Sequence, residues 1–586
     1  MEKKKVGAIA LTAVMSCGVL ASCGPQKVQD NPFKTYIEVQ TYEGGYGYTW
    51  IEEVADRFEE IYKDYKIGDK TGVEIRIHAE KDEAIVVYEK KSTMTNDIYF
   101  LEGMRNLPQY HQDKSLIDLT DIATEVIPEQ GHSIVDVMKD ELKDSMANHE
   151  EDGKHYYALP LATGFAGLVY DAEFFYNRGL YLTKEYDTNG NEGVVNDYVI
   201  TKVSNKNTQG EYATLVNENG VSYFKTNKGE LLSRGPDGTY GTYDDGLPST
   251  YKEFFNLCKY MKEEENIYPF IYAGKYSSGY IKWLLSALEA DYDGYEQGVI
   301  KNSLDGTLTN LISVDDDGNI TKLPNVQVDP NNESGNNKNV FKSAGKYYAM
   351  NFVEQMYVDD GEYLHPDCFN SADHLTAQES FMLSPRDKNK AAFLIEGLWW
   401  EYEATDTFND LSETYGDSYS KANRQFRQLP LPKATMEQVE KKQGSVARDD
   451  RFMTAFMLKN VVAEEKIEIC KKFIQFCLTD ENNQKYTQLT GIPRPYDYEL
   501  SGAQYNGLTS YSRSLWDMYA CANNVVFGYS QSKYHQQYSN FFSPLYYGCH
   551  IKGVTYLNPV EVLSTKKLGA KAAFDGLYTD AVINNL

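Results

Sequence analysis

The chain lacks the signatures of the common hydrolase and nucleotide-using classes. It has no G-x-S-x-G elbow, no P-loop and no H-E-x-x-H, and its nine histidines are scattered. Its eight cysteines include no C-x-x-C pair, which excludes the usual zinc and thioredoxin-like arrangements. Basic charge is scarce, with 58 Lys and Arg against 86 Asp and Glu, a formal net charge of −28. That balance opposes nucleic acid and anionic membrane surfaces and suits neutral or cationic ligands. With so many carboxylates, a pair at glycosidase spacing arises by chance and identifies nothing. Beyond the first twenty residues no apolar run is long enough to span a membrane. What remains is 586 residues, 41% hydrophobic, enough for two or more packed lobes.

The amino terminus is a different kind of segment. Lys3-Lys4-Lys5 is a basic n-region, and Val6 to Leu20 is almost wholly apolar or small, which reads as a signal peptide over residues 1–22. Leu20-Ala21-Ser22-Cys23-Gly24 resembles a bacterial lipobox. The alternative is an ordinary signal peptide with an incidental cysteine. The resemblance implies cleavage before Cys23, lipidation of Cys23, a tether over residues 23–33, and a mature chain held at the extracellular face of the cytoplasmic membrane by that lipid alone. Loss of residues 1–22 removes three lysines and one glutamate and leaves a charge of about −30.

Tyr42 to Trp50 reads YEGGYGYTW, and Gly45 to Trp50 is one residue short of the dinucleotide fingerprint G-x-G-x-x-G. Ile37, Val39 and Thr41 alternate before it at strand period. Trp50, Val54, Phe58, Ile61 and Tyr62 follow at helical period. Thr49-x-x-Glu52 predicts a capping box with Thr49 as N-cap, and Val73, Ile75 and Ile77 predict a second strand. The unit is βαβ, but a nucleotide does not fit. Trp50 stands where the third glycine lets helix and strand pack closely. The acidic residue expected about 20 residues on does not fall at the end of the second strand, Glu80 and Asp82 lying later.

Strand and helix patterns alternate through residues 34–180, as in an α/β sheet covered by helices. Residues 181–247 and 298–345 are rich in Gly, Asn, Asp and Thr and read as insertions of hairpins and loops; Asp197 to Thr201 is one alternating run within them. Helical periodicity returns at Tyr251, with Phe254, Phe255, Cys258 and Met261 on one face, and again over Ala463 to Leu478. There Cys470 and Cys477 join Phe473 and Ile474 in a packed face. Cys258, Cys368, Cys470, Cys477, Cys521 and Cys549 are spaced for few or no disulfides. Tyr outnumbers Phe, 48 to 25. A tyrosine gives an apolar face and a hydrogen-bonding tip; these either form platforms for sugar rings or cover a large surface.

One loop invites a metal. Asp237, Asp244 and Asp245 lie on the glycine-rich run Gly235 to Gly246 and either bind a structural Ca²⁺ or serve plain turns. Asp187-Thr188-Asn189-Gly190-Asn191 starts like an EF-hand loop but has Glu192 where the glycine belongs; it reads as a hairpin turn, as does Asp315 to Gly318.

Four segments in order resemble the extracellular solute-binding proteins of carbohydrate ABC importers, the maltodextrin-binding type of family 1. They are Tyr36 to Ile77; Asn96 to Leu101 with Leu116 to Leu119 beyond; Gly153 to Pro160 continuing to Leu168-Val169-Tyr170-Asp171; and Lys390 to Trp400. The helix at 463–478 and Gly491-Ile492-Pro493-Arg494-Pro495 fit the later region. The resemblance implies a two-lobed, periplasmic-binding-protein-like (Venus flytrap) α/β fold with a hinge crossed more than once. Its N-terminal lobe would comprise 34–159 plus 447–495 and its C-terminal lobe 160–446 plus 496–586, with inserted hairpin and loop regions. It implies an oligosaccharide ligand, permease partners, a monomer and no catalysis. Carried over residue by residue, it places Glu43, Tyr46, Tyr48, Glu102, Thr163, Phe165, Tyr272, Lys275, Tyr276, Trp399, Trp400 and Trp516 at ligand. Trp399 and Trp400, adjacent on a strand, would point oppositely, one stacking and one packing. A surface glycoside hydrolase or esterase, and a lipoprotein binding peptides or lipids, are the alternatives.

Overall fold

A computed structural model describes residues 30–80, 88–101, 107–182, 214–218, 221–225, 233–239, 242–358, 361–449, 453–520, 525–527, 548–556, 558 and 560–577. The signal peptide, Cys23, Glu102, Cys521, the turn at 187–192 and the run at 197–201 lie outside them.

Two sheets organise the chain. The first contains β1 (Thr35–Tyr42), β2 (Val73–Glu80), β3 (Ile98–Leu101), β4 (Leu159–Ala162) and, from far along the chain, β10 (Met453–Phe456). Its order is β2-β1-β3-β10-β4, with β10 antiparallel to both neighbours and the rest parallel. The second contains β5 (Ala166–Asp171), β6 (Ile267–Ile271), β7 (Lys390–Gly397) and β8 (Phe426–Gln428), in the order β6-β7-β5-β8, with β5 antiparallel to the other three; a short strand β9 (Ala447–Asp449) pairs in parallel with residues 525–527.

The alternation in β1 translates directly into burial, Ile37 and Val39 being fully inside. The strand β2 runs on to Glu80, three residues past the alternating triplet, so an acidic residue does end it, contrary to expectation. The helix α1 (Thr49–Ile61) buries Trp50, Ile51, Val54, Ala55 and Phe58 against the first sheet. Trp50 does fill the space a fingerprint glycine would leave open, its ring 6.0 Å from Phe100 and 5.4 Å from Tyr486. The expected capping box is absent: the N-cap is Tyr48 and makes no side-chain cap bond. The Thr49 hydroxyl instead reaches the other lobe.

In the second lobe α2 (Tyr251–Glu263) carries the expected face, with Phe254, Cys258 and Met261 buried. Next comes α3 (Ser277–Ser303), which runs six residues into the stretch expected to be loops. The remainder of 298–345 holds two short hairpins, 306–308 with 326–328 and 312–314 with 320–322. The second closes on Asp315 to Gly318, where Gly318 adopts φ 82°. Of 181–247 the structure describes one hairpin, 214–218 with 221–225. The helix α5 (Ile467–Cys477) starts later than the periodicity suggests and buries Cys470, Phe473, Ile474 and Cys477. Cys258, Cys368, Cys470, Cys477 and Cys549 are free and buried.

A buried ion network pins α3 to α4 (Ala344–Met356). Lys301 is bonded to Glu289 and Asp293, and Lys346 Nζ donates to Glu289 at 3.1 Å. On a straight helix residues 289 and 301 would stand about 18 Å apart. Gly294, at φ 73° and ψ 173°, turns the chain so that they meet. Burial alone would raise Glu289, but the ammonium groups of Lys301 and Lys346 pull it down to about 2. Burial lowers Lys346 to about 8 against the pull of Glu289.

Candidate functional site

Strand direction fixes where the lobes face each other. The strand β4 ends at Ala162 and β5 begins at Ala166, so the carboxyl ends of β1, β3 and β4 meet the carboxyl ends of β6, β7 and β8 across residues 163–165. Ligand sites in open α/β sheets form outside those ends. Three crossings are stitched together there. Thr163 Oγ1 donates to the Pro493 carbonyl at 2.8 Å, Gly164 N donates to Asp449 Oδ2 at 2.7 Å, and Leu398 N donates to the Phe165 carbonyl at 3.0 Å.

Most of the residues named from sequence fall on these facing ends. Glu43, Tyr46 and Tyr48 follow β1. Tyr272, Lys275 and Tyr276 follow β6, Trp399 follows β7, and Thr163 and Phe165 form the crossing. Their roles divide. Tyr272 is buried and its hydroxyl pairs with that of Tyr357 at 2.8 Å. Tyr276 is 45% exposed, with Lys275 over its ring. Trp399 and Trp400 do not sit on a strand as expected. The strand β7 stops at Gly397, Trp399 lies in the turn, and Trp400 opens a short helix, Trp400–Glu403. The division of labour is different from strand alternation but still sharp. Trp400 is fully buried among Phe381, Phe408, Phe426 and Tyr511. Trp516 packs elsewhere, with Leu508 and Tyr498 in a satellite cluster.

Trp399 is one place where the lobes touch. Its ring centroid lies 5.7 Å from that of Tyr46 and 5.8 Å, edge-on, from that of Trp283 on α3. Trp283 in turn is 5.0 Å from Tyr280. A Cβ on Gly45 would stand 3.1 Å from the indole Cγ and Cδ1. A Cβ on Gly47 would overlap the Tyr402 ring, and Tyr402 Oη hydrogen-bonds Thr49 Oγ1. Both glycines have positive φ, 55° and 62°, so the turn needs glycine for its conformation and for this approach. Trp283 and Tyr402 escaped the sequence reading. Tyr280 and Trp283 at i and i+3 on an apolar helix face were the available signal.

Behind Trp399 lies a carboxyl pair. Glu396 accepts from Tyr280 Oη at 2.6 Å and from Gly397 N at 2.8 Å. Gln378 Nε2 donates to both Glu396 and Glu403 at 3.1 Å. Burial, with the Glu403 charge beside it, pushes Glu396 up to about 8. Burial likewise raises Glu141 to about 8 and Glu253 to about 7. These carboxyls are protonated in the native chain at pH values where the unfolded chain has lost the protons, so between pH 4.5 and 8 stability falls as pH rises. Below 4.5 the sign reverses, because Glu289 is held ionised in the fold. We expect a melting temperature roughly 5 °C lower at pH 8.5 than at pH 5.5, measured by calorimetry; a flat profile across that window would contradict it.

The loop considered for calcium is knitted into turns. Asp244 Oδ2 accepts from Asp237 N at 2.9 Å and its Oδ1 from Thr242 Oγ1 at 2.6 Å, while Asp237 Oδ1 accepts from Thr239 N at 2.6 Å. Burial, then the charge of Asp237, raises Asp244 to about 8; Asp245 is buried beside it. The turn reading accounts for these bonds. Among the described residues the ligating atoms that lie within 4.8 Å of one another belong to Glu150, Asp152 and His155 on an exposed hairpin.

Two cavities are small. One, of about 10 Å³, lies at the crossing between Thr163, Phe165, Pro493, Tyr519 and Phe527. The other, of about 20 Å³, is lined by Tyr170, Arg427 and Asp517. Each has room for on the order of one water, and neither would hold a sugar ring. Among the described residues no helix is long and apolar enough to cross a membrane.

No family model matches the chain, and no curated protein matches it. Solved structures do. A chitin oligosaccharide binding protein is similar over 94% of this chain and 98% of its own, at TM-score 0.52 and 13% identity. The apo-form of RafE from Streptococcus pneumoniae is similar over 95% and 99%, at 0.49 and 12%. A family 1 extracellular solute-binding protein from Bifidobacterium longum subsp. infantis is similar over 94% and 100%, at 0.48 and 14%. With its two facing sheets and stitched hinge, the chain has the two-lobed α/β fold of the solute-binding proteins.

Proposed function

We propose that this chain captures an oligosaccharide between its lobes and hands it to the permease of an ABC importer, without catalysing a reaction. The observation that carries this reading is the line of aromatic rings, Tyr280, Trp283, Trp399 and Tyr46, running across the interlobe boundary. Sugars offer apolar C–H faces to such rings and hydroxyls to the polar groups around them. Glu43 and Tyr48, after β1, would supply hydroxyl partners, as would Glu102, which follows β3 in sequence, and Tyr276 would be an outer platform. The similarity in fold to a chitin oligosaccharide binding protein supports a glycan as the cargo class. The lipobox-like run supports a lipid on Cys23 and residence at the outer face of the cytoplasmic membrane. We place the lobe boundaries at the stitched crossings, near residues 163–165, 449 and 493, rather than at 159–160, 446–447 and 495–496, because β4 belongs to the first sheet through Ala162, and we take the working form to be a monomer.

The test is a tryptophan-fluorescence titration of the chain from Asn31 onward with α- and β-linked oligosaccharides, the products checked by mass. Saturable quenching by one linkage class, with the sugar recovered intact, is the expected outcome. Shortened products would instead assign a glycoside hydrolase, and silence across the panel would remove sugars from the reading.

A further inference from the structure

Trp399 has an acidic companion. Glu403 lies four residues on, and Glu403 N donates to the Trp399 carbonyl at 3.0 Å, which sets the two side chains on one face of the chain. The Glu403 side chain is 20% exposed, whereas Glu396 behind it is buried. Gln378, fully buried, joins the two carboxyls through Nε2 and leaves its Oε1 without a partner. What the cluster lacks is a base. Three other buried acids have one: Lys433 pairs with Asp291 at 2.8 Å, Arg424 with Asp171 at 2.6 Å, and Lys301 and Lys346 with Glu289. Among the described residues no lysine or arginine pairs with Glu396 or Glu403, and His374 Nε2, 3.7 Å from Glu403 Oε1, is beyond hydrogen-bond reach. Burial and the Glu403 charge keep the proton on Glu396 up to about pH 8, so the pair carries one negative charge, on Glu403.

We propose that the ring stacked on Trp399 carries a protonated amine, so that the cargo is an amino-sugar oligosaccharide and Glu403 is the residue that selects it. This rests on the cleft being the sugar site. A single ammonium matches a single carboxylate. It offers three donors and no acceptor, which suits a cluster whose open groups are a carboxylate and an amide oxygen. A hydroxyl in the same place would also donate to Glu403, but a bond between two charged groups is roughly twice as strong as a neutral one. Acetylation of the sugar nitrogen removes the charge and two of the donors together. The formal net charge of −28 works in the same direction, drawing a cationic cargo towards the protein and repelling an anionic one.

The experiment titrates the chain from Asn31 onward with α- and β-linked glucosamine oligomers, with their N-acetylated forms, and with glucose oligomers of the same linkages. For one linkage the free-amine form should bind about tenfold tighter than the other two, the difference between a charged and a neutral hydrogen bond. In Glu403→Gln, with its melting temperature retained, that preference should disappear. Equal or tighter binding of the acetylated or glucose oligomers by wild type overturns the proposal and leaves the sugar reading standing. Silence towards all three overturns both. A Glu403→Gln protein that keeps the preference also overturns the proposal, because the amine would then sit against another group. The wild-type comparison decides the matter even if the variant fails to fold.

Discussion

Replacing Trp399 with alanine is expected to weaken oligosaccharide binding by about 100-fold, the loss typical of a central tryptophan anchor. The reason is positional. Trp399 sits in the turn after β7, held by the bond from Leu398 N to the Phe165 carbonyl and backed by Trp283. Trp399→Phe should recover most of the binding, because a ring at the same point still offers a flat face. Trp400→Ala separates binding from folding: that side chain is fully buried among four aromatic rings, and its removal should cost about 3–5 kcal/mol of stability. Titration and thermal melts on the three variants check the pattern. A Trp399→Ala protein that folds and binds like wild type would move the platform elsewhere, with Tyr276 the next to examine.

The second large effect lies far from the cleft. Lys301→Ala should destabilise the chain by about 3–5 kcal/mol, because it leaves Glu289 and Asp293 buried with Lys346 as the remaining ammonium. The loss comes mostly from uncompensated carboxylates rather than from the missing attraction. A double variant, Lys301→Met with Asp293→Asn, should therefore be more stable than Lys301→Ala. Denaturant melts of the two proteins give the comparison. Equal losses would mean that packing around the Lys301 stem outweighs its charge.

Much of the scaffold was legible because its signals are local. Alternation in β1, the glycine turn, the apolar face of α1 and the run Lys390 to Gly397 each announce their own structure, and their order announces two lobes. The turn Asp315 to Gly318 was legible for the same reason. What escaped depends on partners distant in sequence. Thr49 carries the residue pattern of a capping box, yet its hydroxyl bonds Tyr402, 353 residues away. Tyr272 is expected at ligand from the resemblance, yet it is buried with its hydroxyl on that of Tyr357. Trp516 matches a late stacking position but falls into a cluster with Tyr498 and Leu508. Trp399 and Trp400 were separable in role, yet the geometry invoked was that of a strand, whereas a turn and a helix start separate them in fact. Side-chain type and spacing describe an element; they do not say which of two hydroxyl partners, one near and one far, wins.

The placement of β10 has a consequence in time. It lies between β3 and β4 in the first sheet, yet residues 102–452 separate it from β3 along the chain. During synthesis the first sheet must wait with a gap beside β3 until most of the second lobe has been made. Pairing over so long a separation is slow, and until it happens β3 and β4 present open edges. A ribosome-stalled chain ending near residue 450 should leave the first lobe digestible, whereas the released full-length chain should resist the protease.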